Sequence, residues 1–310
     1  MNKPAGGRSG GPQPSGDEEK PMNLRKAFFD KEYRMRIVFL ICALASILAV
    51  LLICVFLFAN GIPAIAEIGP LEFLSGRTWK PSNDIYGIFP MILGSIYVTA
   101  GAIAVGVPIG ILTALFLAQF CPKPLYRGFK PAVELLAGIP SVVYGFFGMA
   151  VLIPRIRATF GGHGNSLLAA SILLGIMILP TIINVSEAAI RAVPKSYYEG
   201  GLALGSSHER TCVFVLLPAA KSGVMASVVL GIGRAVGETM AVIMVAGNQA
   251  RVPKGLLKGL RTLTANIVIE MGYAAGLHRE ALIATGVVLF VFILIINLSF
   301  SLISRKDRSA

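Results

Sequence analysis

The sequence lacks the motifs by which a chain performs its own chemistry. It has no Gly-x4-Gly-Lys-[Ser/Thr] phosphate loop, no zinc-binding His-Glu-x-x-His helix and no nucleophile elbow between a strand and a helix. The chain is therefore expected to be no enzyme and to hold no cofactor. Charge is scarce as well: of 310 residues 14% are charged and 55% hydrophobic, and the mean hydropathy is +0.74, outside the soluble globular range. Cysteine is sparse. Cys42, Cys54, Cys121 and Cys212 show no ligand spacing, which argues against a zinc site or a disulfide framework. Basic residues outnumber acidic ones, 28 to 16, but no basic stretch alternates with stacking aromatics, so nucleic acid is not the expected partner.

Long apolar runs are what the chain has instead. A helix crosses a bilayer in about 20 residues, and uncharged runs of that length occupy 37–59, 85–122 and 281–304. Three further segments tolerate isolated ionisable groups. Six crossings are expected, at about 37–59, 90–121, 131–154, 165–187, 223–248 and 281–304, making an all-α membrane protein. Residues 1–36 open on a Gly-, Pro- and Ser-rich stretch that cannot bury a core, and are read as a disordered tail; 305–310 form a second tail. The first apolar run is too long, and starts too late, for a secretory signal core.

Six crossings put both termini on one side. Lys and Arg number 18 on that side and 9 on the other, so the termini, and the polar insert 188–222 with them, are expected on the cytoplasmic side of the membrane. The loop bearing Arg251, Lys254, Lys258 and Arg261 is basic for an outside loop. Only the sum of charges decides the orientation.

Within the insert, Ser196-Tyr-Tyr-Glu-Gly-Gly-Leu-Ala-Leu-Gly205 carries a capping-box spacing from Ser196 to Glu199, and Gly205 suits a left-handed helix end. Ser206 with Glu209 repeats the signal, and Pro218 is expected to stop the second helix. A compact knob of two short helices follows. Its spacing resembles the fingerprint loop of ABC importer permeases, with Glu199, Gly200, Gly201, Gly205, Val215, Leu217 and Pro218 in register and two glycines where that family has alanines. The resemblance implies that the knob docks in a cleft of an ATPase subunit.

The fifth apolar segment contains Arg234 and Glu238 at i and i+4, and they are expected to share one face of a helix. Each charge costs about 2.5 to 3.5 kcal/mol near mid-bilayer, so that face must meet protein or water. Two readings stand: the two side chains pair and hold the bundle together, or Arg234 meets an anionic substrate with its planar fork of donors. In the third segment Gly138-Ile-Pro140 interrupts the helix, leaving Ser141 and Tyr144 either as donors to an anion or beside a kink that only shapes the bundle. Glu134 is read as a solvated carboxylate, and His163 as part of a flexible outside loop.

Several strings appear in order: Trp79-Lys-Pro81, Gly87-Ile-Phe-Pro90, Gly138-Ile-Pro-Ser-Val-Val-Tyr-Gly145, Ala219-Ala-Lys-Ser-Gly223 and Gly233-Arg-Ala-Val-Gly-Glu-Thr-Met-Ala-Val242. Together they resemble the PstC-type permease of the phosphate ABC importer, over about residues 36–305. The resemblance implies a type I importer fold and a second permease of the PstA type. It also implies two ATPase subunits, an extracytoplasmic phosphate-binding protein, and a part for Arg234 and Glu238 in phosphate movement. Rival readings are an ABC permease for molybdate or sulfate, an anion transporter or channel working without ATP, and a sensor or scaffold, for which no signalling domain is visible.

Overall fold

The structure is a computed structural model that describes residues 31–306. Residues 1–30 and 307–310 of the two expected tails lie outside the described residues. The first helix, α1 (Lys31–Ile68), begins within the segment assigned to the tail and runs past 59; Lys31-Glu-Tyr-Arg-Met-Arg36 contains good helix formers that extend the apolar run. At 38 residues it is about 57 Å long at 1.5 Å per residue. Of the described residues, 31–55 form a unit of their own: Phe39, Leu44, Ile47 and Leu51 are all exposed, as suits side chains facing lipid.

From Phe56 the chain belongs to a second unit. Here α1 packs on the last helix, α14 (Gly276–Lys306), with Phe58 edge-on to Phe290 at 5.7 Å between centroids. A short helix, α2 (Pro70–Ser75), leads to a two-stranded antiparallel ribbon, β1 (Trp79–Lys80) and β2 (Ile85–Tyr86), in which Trp79 faces Tyr86. The second crossing, α3 (Phe89–Leu115), ends in a π-turn at Phe116–Phe120.

The fourth crossing, α7 (Leu167–Arg191), is the centre of the bundle: Leu173, Leu174, Met177, Ile178 and Ile182 are fully buried on it. It lies parallel to α3, because Gly101, Gly106 and Gly110 meet Ser171, Ile178 and Ile182 in rising order. A Cβ on Gly106 would fall 2.7 Å from the Ile178 side chain, so the backbones approach as small residues allow in membrane bundles. On the other side α7 is antiparallel to α11 (Lys221–Gly237), with Gly223 against Ala189, Ser227 hydrogen-bonded to Ser186 at 2.7 Å, and Gly231 against Ile182.

Two expected crossings differ. In place of a third span at 131–154 there is an amphipathic helix, α4 (Lys123–Gly138), then a break, then α5 (Ser141–Phe147), which continues through a π-turn into α6 (Ile153–Phe160). Lys123, Arg127, Lys130 and Glu134 give α4 too much charge to cross, and the apolar crossing is Ser141–Phe160. The fifth span is not one helix from 223 to 248 either: α11 stops at Gly237, and α12 (Met240–Val245) follows. A further helix, α13 (Leu263–Met271), precedes α14. Five described helices are long and apolar enough to cross a membrane, and a bent pair, His208–Ala219 with Lys221–Gly237, supplies a sixth.

Candidate functional site

The break in the fifth crossing separates the two charges that the i, i+4 spacing brought together. Glu238 is extended (φ −68, ψ 128) at the end of α11, so it does not share a helical face with Arg234. Among the described residues no ion pair joins them. Instead the Glu238 carboxylate accepts from the Ala241 amide at 3.2 Å, satisfying an amide that the first turn of α12 leaves open. The Glu238 carbonyl accepts from the Thr264 hydroxyl at 3.2 Å. Arg234 is half-buried and donates to the Thr181 hydroxyl at 3.4 Å, a long contact. No carboxylate neutralises it among the described residues. Thr181 follows Pro180 inside α7, where the proline leaves the carbonyl of Ile176 without its helical donor.

A second break lies in the third crossing. Ile139 and Pro140 are extended between α4 and α5, and the buried Tyr144 donates its hydroxyl proton back to the Leu136 carbonyl at 2.8 Å. This bond joins a long one of 3.4 Å from the Ile139 amide at a carbonyl whose i+4 donor is lost to Pro140. Tyr144, read either as a donor to an anion or as standing beside a kink that shapes the bundle, here directs its proton across the kink. Ser141, at the first turn of α5, is half-buried, and its hydroxyl has no partner among the described residues. The helices α5 and α12 run in the same direction, with Gly145 facing Ala241 and Met244, and Gly148 facing Val245. A Cβ on Gly145 would sit 3.1 Å from the Ala241 backbone. Both breaks therefore open at one level. Irregular backbone at membrane depth is tolerated where it lines a cavity or is buried in protein.

The knob follows α7. Its first helix, α8 (Lys195–Ala203), starts after Pro194 rather than at a Ser196 cap, with no side-chain cap hydrogen bond; Pro194, extended and without an N–H, sets the start. Gly205 has φ +81. Its amide donates to Leu202 and that of Ser206 to Gly201, at 2.9 and 3.2 Å, the Schellman pattern expected of a left-handed glycine. The cap of α9 (His208–Thr211) is Ser207, one residue beyond the expected Ser206. Nor does Pro218 stop the second helix: a π-turn at Cys212–Leu216 carries it into α10 (Leu217–Ala219), and the chain bends by 71° into α11.

The glycines that replace the family's alanines separate in role. Gly201 is buried with Thr211 2.7 Å from where its Cβ would be, whereas Gly200 faces open space beside the exposed Glu199. Of the remaining fingerprint positions, Val215 and Leu217 are half-buried and Pro218 is exposed. His208 ties the knob together, bonding Tyr198 at 2.9 Å and packing its ring on Phe120 at 4.7 Å. Leu204 and Phe214, 92% and 72% exposed, leave an apolar face uncovered.

Two buried carboxylates escaped the sequence reading. Glu187, the last residue of the crossing expected at 165–187, accepts from Tyr126 (2.8 Å), Lys130 (2.9 Å) and Arg191 (2.8 Å), and Arg191 also donates to the Leu117 carbonyl at 2.7 Å. The bond to Glu187, with burial, pushes the Tyr126 hydroxyl above its ordinary value. At the other end of the bundle Glu270 accepts from Trp79 (2.8 Å) and bonds His278 (2.9 Å), and it pairs with Arg261. A carboxylate inside an apolar helix with Lys and Arg at matching depth was the available signal for Glu187. Glu270 had none, because its partners lie up to 191 positions away.

The chain's relatives agree with this architecture. Residues 106–309 match the family described as "Binding-protein-dependent transport system inner membrane component". A Bacillus subtilis protein named "Probable ABC transporter permease protein YqgH" is 41% identical over 277 residues, 86% of this chain and 90% of its own. "Phosphate transport system permease protein PstC" of Mesorhizobium japonicum is 36% identical over 289 residues, 86% and 88% of the two chains. Among solved structures, a MetNI methionine ABC transporter superposes with a TM-score of 0.57 at 21% identity, covering 74% of this chain and 99% of that one, which shows the fold alone. On these grounds the chain belongs to the binding-protein-dependent transport system inner-membrane components, and groups with the PstC-type permeases among them.

Proposed function

We propose that the protein is one of two permease subunits of an ATP-driven importer of inorganic phosphate. The observation that carries the reading is Arg234: a guanidinium in the bundle, beside two helix breaks, with one long contact to Thr181 and no carboxylate partner among the described residues. Such a charge is costly unless something anionic meets it, and a guanidinium fork matches the geometry of a phosphate oxygen pair. The naming of the relatives as phosphate permeases favours phosphate over molybdate or sulfate.

In this reading Ser141 offers a hydroxyl from the opposite break, Tyr144 holds the α4–α5 kink in shape, and Glu238 fixes the start of α12. A PstA-type permease completes the path, an extracytoplasmic binding protein delivers phosphate, and two ATPase subunits hydrolyse ATP outside this chain. Both termini and the knob lie in the cytoplasm, as the Lys and Arg distribution favours. The exposed Leu204 and Phe214 give the knob an apolar face for the ATPase cleft. ATP-driven closure then acts through its differential affinity for two states of the bundle, passed on through the bend at Ala220.

The test is phosphate uptake by the reconstituted complex carrying Arg234→Gln, with assembly followed by co-purification. Uptake lost from an intact complex is expected. Normal uptake would overturn the role of Arg234, and loss of assembly would return it to a bundle-holding part.

A further inference from the structure

The basic loop that runs against the charge distribution builds a cavity. Past α12 the chain turns at Gly247, and Leu260 donates to the Ala246 carbonyl at 2.9 Å. The carbonyls of Lys258 and Leu256 accept from the first two amides of α7 at 3.0 and 2.8 Å. The loop is thus fastened to the central helix. Its side chains line two neighbouring cavities: one of about 440 Å³ with Arg77, Arg251, Lys254 and Lys258 on its walls, and one of about 580 Å³ that shares Arg251 and Lys258 and adds His163 and Gln249.

No Asp or Glu lines either cavity among the described residues, and none pairs with these four cations. Gln249 holds the Arg251 guanidinium in place through bonds of 3.0 and 2.6 Å to one oxygen. Arg261, by contrast, is engaged by Glu270.

We infer that this cavity is an oxyanion-gathering site, which takes inorganic phosphate at the end of the bundle away from the knob before it reaches Arg234; the inference rests on the phosphate-import reading. Gly247 and Gln249 line the larger cavity and Glu238 marks the break, with eight residues between Glu238 and Gly247, six of them the helix α12, about 9 Å long. Mouth and path are consecutive. Four uncompensated cations on a concave wall raise the local anion concentration and the rate of capture, with an effect that falls as salt rises. A concave, cation-lined wall suits a small anion better than a protruding protein surface.

The experiment titrates inorganic phosphate onto the purified, lipid-embedded complex without its binding protein, reading 31P line broadening, for wild type, Arg234→Gln, and the triple variant Arg251→Gln, Lys254→Gln, Lys258→Gln. A salt-sensitive binding component is expected that survives Arg234→Gln and weakens about tenfold in the triple variant. It should return in the charge-keeping triple variant Arg251→Lys, Lys254→Arg, Lys258→Arg. Wild-type phosphate binding in the charge-removing triple variant would overturn the site, and so would a variant that loses only affinity for the binding protein, since the loop would then be a docking surface. If the wild-type complex shows the component yet imports no phosphate, the transport reading falls and the site stands.

Discussion

The two ends of the bundle and its middle treat charge in opposite ways. At the knob end Glu187 is surrounded by Tyr126, Lys130 and Arg191, and at the far end Glu270 by Trp79, Arg261 and His278. In the middle Arg234 has a single long contact. Ends that join segments distant in sequence need every buried charge matched, because removing one partner leaves the other stranded in low dielectric. A transport path needs the reverse: a charge matched within the protein would have nothing left to offer a substrate.

The largest expected break in that contrast is Arg234→Gln. Loss of a bidentate, charge-assisted pair with phosphate should lower uptake on the order of 100-fold, while the thermal midpoint of the complex stays near wild type. Arg234→Lys, which keeps the charge and loses the fork, is expected to recover part of the uptake. A fall in the midpoint without loss of specific uptake would place Arg234 with the structural charges.

Glu270→Gln should do the opposite, costing about 3 kcal/mol of stability, because Arg261 is 15% exposed and has little water to turn to. A denaturation series on the detergent-solubilised complex reads it. Glu187→Gln should cost less, about 1 to 2 kcal/mol, since Arg191 is 45% exposed and can rehydrate; equal losses at the two sites would sink the argument from exposure. Smallest is Gly205→Ala in the knob, where a side chain at φ +81 costs roughly 1 kcal/mol. It is expected to lower ATPase-coupled uptake modestly and to speed limited proteolysis between α8 and α9.

Inside the knob, legibility ran out at single residues. Gly205 was readable because only one conformation there suits a residue without a Cβ, and the Schellman bonds follow from it. The caps were not, since Ser196, Ser206 and Ser207 compete locally, and Pro194 with the packing of Gly201 on Thr211 decides among them.

What the sequence determined by itself was everything that depends on apolar length and composition: membrane crossings near 37–59, 90–121, 165–187 and 281–304, the knob between them, and the importer-permease fold that its motifs resemble. Hydrophobic transfer acts on each segment independently, so it can be read segment by segment. The break at Gly138-Ile-Pro140 was legible too, because a proline cannot continue the helix. Only the tertiary structure decided that the third crossing begins after that break, that the fifth is interrupted at Glu238, that Glu238 caps α12 instead of meeting Arg234, and that Glu187 and Glu270 gather partners from distant helices. A helix interruption is stable only when a neighbour satisfies the exposed backbone groups, as Tyr144 does for Leu136, and that neighbour is chosen by packing.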